Sequence, residues 1–134
     1  MTNISRSTRI TKMAFNEKDK QKLVLAEKLL ESAEHSSEAD MRNSISRMYY
    51  AVYHVAVVVV GNMAHGEIPD ALEEREKGLG ERFRRLYKLR QGADYDPDFV
   101  QRQFKGLDDF RVRFRDEMEI SRSLYDHLLQ MDKI

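Results

Sequence analysis

Cysteine is missing from all 134 residues, which excludes disulfides, thiolate metal sites and a thiol nucleophile and makes a reducing cytoplasm the expected compartment. Proline occurs twice and glycine six times, too few turn residues for a loop-rich β architecture. An excess of either charge is missing as well, since 23 basic residues meet 23 acidic ones. No global field therefore draws the chain onto nucleic acid or an anionic membrane, and any polyanion site must be a local patch. Long apolar runs are also lacking. The longest, residues 51–60, is about half a membrane span, so no membrane partner is expected. Residues 1–13 carry Arg6, Arg9 and Lys12 with no apolar stretch behind them, which does not fit a signal peptide.

What the chain does contain is helical periodicity. Apolar content of 41% beside 34% charged residues fits a helix-rich globular domain and argues against disorder. Residues 1–15 read as a flexible basic tail and 16–134 as a single domain. A first helix is expected from Asn16, with Leu23, Ala26, Leu30 and Ala33 on one stripe, ending near His35. Ser37 to Asp40 fits a capping box opening a second helix over 38–63. Its β-branched run at 55–60 suggests a strand when taken alone, but the helical pattern continues into it without a turn signal, and burial all round explains its lack of polar residues. A short helical piece follows over 69–77. A third main helix is expected over 81–90, then a loop at 92–95. Asp96 as N-cap and Pro97 at the first helical position open the last stretch. That stretch runs to about Met131 as one helix, or as two with a bend at Gly106. The expected fold class is all-α, an up-and-down bundle of four to five helices.

Chemistry concentrates in Ser46-Arg47-Met48-Tyr49-Tyr50-Ala51-Val52-Tyr53-His54. At 100° per residue Arg47, Tyr50 and His54 share one helix face. An imidazole moves protons near neutral pH, and a guanidinium clamps phosphate or a developing phosphorane charge. Together they suit cleavage of RNA through its 2′-hydroxyl without a metal. The same spacing also fits a buried arginine paired with an acid and a core histidine, and both readings stay open on spacing alone. Tyr49, Tyr50 and Tyr53 can stack on bases or donate to phosphate, but by residue type core and interface packing with the hydroxyl at the rim is the favoured reading. Arg82, Arg84, Arg85, Lys88 and Arg90 form the densest basic cluster, matching either a phosphate-tracking face or a surface laced with salt bridges to nearby glutamates. His35, His54, His65 and His127 are too scattered for a zinc helix. No glycine-rich loop follows a strand, so no metal or cofactor is implied.

The 46–54 segment resembles the SRxYYAxFH signature of the HEPN domain family. Leu89-Arg90-Gln91-Gly92-Ala93-Asp94-Tyr95 is similar to the R-x-x-ADY segment that precedes the last long helix in one large subgroup. The resemblance covers about residues 17–129 in the expected helix order. It implies a helical bundle that dimerises with the motif helices facing each other. Many members are metal-independent endoribonucleases, some of them toxins of toxin–antitoxin pairs; others bind nucleotide or RNA without cleavage, often beside a nucleotidyltransferase. Carried over, His54 is the proton-transfer residue and Arg47 the phosphate or transition-state clamp. Ser46, Tyr49, Tyr50, Tyr53, Arg90, Asp94 and Tyr95 line the substrate. Met48 stands where active toxins commonly place a polar residue. Ala56 stands where some carry a tyrosine that a partner enzyme modifies, so that modification is not implied.

Overall fold

In the computed structural model, residues 37–131 are described, together with Glu17, Gln21, 23–25 and Lys28, which are helical. The expected basic tail and most of the expected first helix lie outside the described residues. Leu23 is buried against the core while its described neighbours face outward. Among the described residues there are helices and no strand.

Helix α1 spans Glu38–Val60. Ser37 caps it, its Oγ accepting from the Asp40 N–H at 3.1 Å, and Glu38 and Asp40 favour the positive end of the helix dipole. The helix stops three residues before the expected Met63, at Gly61, which adopts a φ of 99° that disfavours any side chain. The valine run is helical, as periodicity predicts, but it is not buried all round. Val55, Ala56, Val59 and Val60 enter the core, while Val57 and Val58 stay half-exposed. A 3-10 turn at His65–Glu67 leads into α2, Ile68–Arg75. Arg75 donates back to the Val59 carbonyl at 3.0 Å, satisfying one acceptor that the end of α1 would otherwise leave open.

Helix α3 runs Leu79–Tyr95, longer at both ends than the expected 81–90. The 92–95 segment, read as a loop, is its last turn. Two tertiary contacts hold that turn helical. Gly92 lets the Phe99 ring pack directly on the helix, since a Cβ there would lie 2.5 Å from the ring. Arg42 of α1 donates to the Ala93, Asp96 and Pro97 carbonyls at 3.2, 2.8 and 3.2 Å, supplying donors that the helix end lacks. The next helix, α4, is only Phe99–Gln103, with Asp98 at its N-cap rather than the expected Asp96. The Asp96 carboxylate instead accepts from the Asp98 N–H at 2.9 Å, a local turn. Of the two forms expected for the last stretch, the structure has two helices: α5 begins after Gly106, at φ 132°, and spans Leu107–Leu129.

Helix α1 is central, with α3 and α5 packed along it and α2 folded against α3. Ile45, Val52, Phe83, Phe110 and Phe114 are among its closed core. Leu107, the first residue of α5, is exposed. No single helix among the described residues is long and apolar enough to cross a membrane.

Candidate functional site: the open edge of α1

Eleven of the 23 residues of α1 are buried, and from residue 46 onward an accessible stripe remains: Ser46, Arg47, Tyr50, Tyr53, His54, Val57 and Val58 are all half-buried. Positions 47, 50, 54 and 57/58 follow the 3/4 spacing of one helix face. Arg47 has no hydrogen-bond or ion-pair partner among the described residues. His54 sits two turns on, with the Tyr53 ring edge-on at 5.6 Å. Arg47 and His54 are thus both half-buried at the margin of the core rather than enclosed in it.

The two motif segments, more than forty residues apart in sequence, meet across α1 and α3. Ser46 Oγ donates to Asp94 Oδ2 at 3.2 Å. The same oxygen lies 3.1 Å from Arg90 Nε as an ion pair, although that N–H is out of line for a hydrogen bond. Arg90 also donates from a terminal nitrogen to the Tyr50 hydroxyl. Its guanidinium covers the rings of Tyr49, Tyr50 and Tyr95 at 5.3, 5.0 and 5.4 Å. Burial opposes the charge on Arg90, but Tyr50, Tyr95 and Asp94 together outweigh it and hold the pKa above its usual value.

This arrangement redistributes the roles expected from sequence. Tyr49 is fully buried and Arg90 is 8% exposed, so neither presents a surface to a substrate; both brace the residues that do. Tyr95 is 71% exposed, and with Tyr50, Tyr53 and Ser46 it remains on the accessible side. Asp94 is turned inward toward Ser46 and Arg90.

The structure adds His65, which sequence spacing left as one scattered histidine among four. The 3-10 turn lays its imidazole flat on Tyr53, 4.1 Å between ring centres and 5° from parallel. Its Nδ1 is 2.5 Å from the Tyr49 hydroxyl. Burial raises the Tyr49 pKa strongly, so that hydroxyl stays protonated beside the ring. Burial, and secondarily the charge of Arg90, lower the His65 pKa. Arg42 was likewise missed; only its i,i+4 pairing with Glu38, 2.9 Å here, was local enough to read.

Chemically, this edge offers a half-exposed guanidinium, an imidazole and two half-exposed phenol rings, in front of an aromatic and ionic backing. It is suited to holding a phosphate and moving a proton. No group of three or more His, Asp or Glu side chains among the described residues is arranged to hold a metal ion. Fold and site together define an all-α domain with a basic, aromatic edge on its central helix. No protein-family model, curated protein or solved structure matches the chain.

Proposed function

We propose that this chain is a HEPN-like protein acting on RNA, a metal-independent endoribonuclease whose composite site forms where two copies bring their α1 edges together. The observation that carries the reading is the position of Arg47 and His54. They sit two turns apart on the accessible stripe of α1, the arginine without a partner among the described residues, while the two resembling motifs lock together behind them. The half-exposed Val57 and Val58 extend that stripe with apolar surface of the kind a two-fold contact covers.

The chemistry needs an acid and a base. One His54 accepts the proton of the 2′-hydroxyl as its oxygen bonds to phosphorus. The His54 of the second copy protonates the departing 5′-oxygen as the P–O5′ bond breaks, leaving a 2′,3′-cyclic phosphate. Arg47 offsets the charge that develops on the phosphoryl oxygens. Purified protein incubated with RNA and EDTA is the test: cleavage that persists in chelator and is lost in H54A and R47A is the expected result. RNA that is neither bound nor cut would overturn the reading.

One observation favours a second reading, a nucleotide- or RNA-binding module without cleavage that partners a nucleotidyltransferase or an antitoxin. Met48, the residue after the arginine, is buried in the core, so this edge lacks the polar neighbour of active toxins. Tight binding without cleavage in the same assay selects that reading.

A further inference from the structure

The basic cluster of α3 is only partly absorbed by the fold. Arg90 turns inward to the motifs, but Lys88, Arg85 and Arg84 lie about 160°, 140° and 120° around the helix from it, with Arg82 about 80° away toward the same side. There α3 and α5 border an open cleft of about 560 Å³. Glu117 takes Arg85, at 2.6 and 3.2 Å, and Glu81 with Asp70 takes Arg84, at 3.2 and 3.4 Å. Three cations of the cleft have no close carboxylate among the described residues. Arg82 reaches only Ser123, at 3.4 Å; Lys88 has no partner among the described residues; Arg113 is 3.9 Å from Asp109. In a chain with no net charge this is a local positive site.

The floor identifies the kind of anion. Leu89 and Phe104 line it, and the Arg113 guanidinium lies over the Phe104 ring at 5.9 Å. A planar cation backed by an aromatic ring stacks well against a nucleobase, and flanking cations hold the phosphates on either side. An acidic peptide would use the cations and leave that floor unused.

We infer that this cleft binds single-stranded RNA, as a second contact that anchors the strand flanking the one held at the α1 edge. The inference rests on the RNA-directed reading above. One helix diameter, about 10 Å, separates the two sides of α3, a span that a few nucleotides cross around its exposed C-terminal end. The cleft then governs affinity and strand length, while the α1 edge governs chemistry.

Binding of a fluorescent 2′-O-methyl dodecauridylate, which lacks the attacking hydroxyl, isolates the cleft from cleavage. In the triple variant R82A/K88A/R113A, affinity should fall at least about tenfold, and the slope of log affinity against log salt should flatten by about 2, for three lost phosphate contacts. The charge-conserving variant R82K/K88R/R113K should retain the salt slope, and K88E alone should weaken binding. Cleavage of the dinucleotide uridylyl-adenosine should be unchanged in the triple variant, since two nucleotides do not reach the cleft. Unaltered dodecamer binding in both the triple variant and K88E would overturn the inference, as would equal displacement by poly-glutamate of matched charge. Failure of the wild-type protein to cut the dinucleotide would count against the nuclease reading alone, because the dodecamer measurement does not depend on it.

Discussion

Replacing Arg90 with methionine tests the link on which the whole edge of α1 depends. The change keeps most of the side-chain volume and removes the charge. It leaves Asp94, with its side chain 23% exposed, holding only Ser46, and removes the donor to the Tyr50 hydroxyl. Removing one member of a buried ion pair costs about 3–5 kcal/mol, and the partial exposure of Asp94 reduces this to about 2–3 kcal/mol. For a chain of this length each kcal/mol is worth about 3–5 °C, so Tm should fall by about 6–15 °C. Circular-dichroism melts and urea titrations of R90M, Y50F and the double variant then form a cycle across the Arg90–Tyr50 bond between the motifs, with an expected coupling of about 1–2 kcal/mol. A coupling below about 0.5 kcal/mol, within ordinary additivity, would refute the argument that the two motifs are joined through this pair.

Arg42→Ala removes three hydrogen bonds to carbonyls at the end of α3; a loss of about 1.5–3 kcal/mol by urea titration is expected, with early amide exchange at 93–97. Gly92→Ala drives a methyl group into the Phe99 ring and should cost about 1–3 kcal/mol in the same titration. Because the folded state lowers the His65 pKa, the unfolded chain binds the proton more readily. Stability is therefore full above the unfolded pKa of about 6.5 and declines as pH falls from there through the folded value. Urea midpoints at pH 7.5 and 5.5 should show a steeper acid loss for the wild type than for H65N, and equal losses would refute it. Val58→Glu places a charge on the half-exposed stripe of α1; sedimentation should show a monomer with an unchanged melt and no RNA cleavage, whereas a cleaving monomer would count against the composite site.

Helix class and the main core stripe were legible in the chain because both follow from a local period: buried positions recur at three and four, and the structure keeps Phe110, Phe114, Met118, Leu124 and Leu128 inside. Caps were legible only where the partner is local. Ser37 bonds three residues ahead, as read, while the end of α3 is set by Arg42 and Phe99, which no local pattern contains. Spacing placed Arg47 and His54 on one face but left open whether that face is buried. The packing of α3 and α5 on two sides of α1 answered that by leaving the 47–54–58 stripe uncovered.

The sequence by itself determined an all-helical chain, the polar and apolar faces of its central helix, and the residue types available for phosphate and proton chemistry, because these depend on residue identity and a short repeat. Only the tertiary structure decided which of those residues stay accessible and which are enclosed as braces. It buried Tyr49 and Arg90, brought Asp94 to Ser46, laid His65 on Tyr53, and divided the basic residues of α3 between an inner tie and an outer cleft. Those outcomes depend on distances between segments more than ten residues apart, which the packing of whole helices sets.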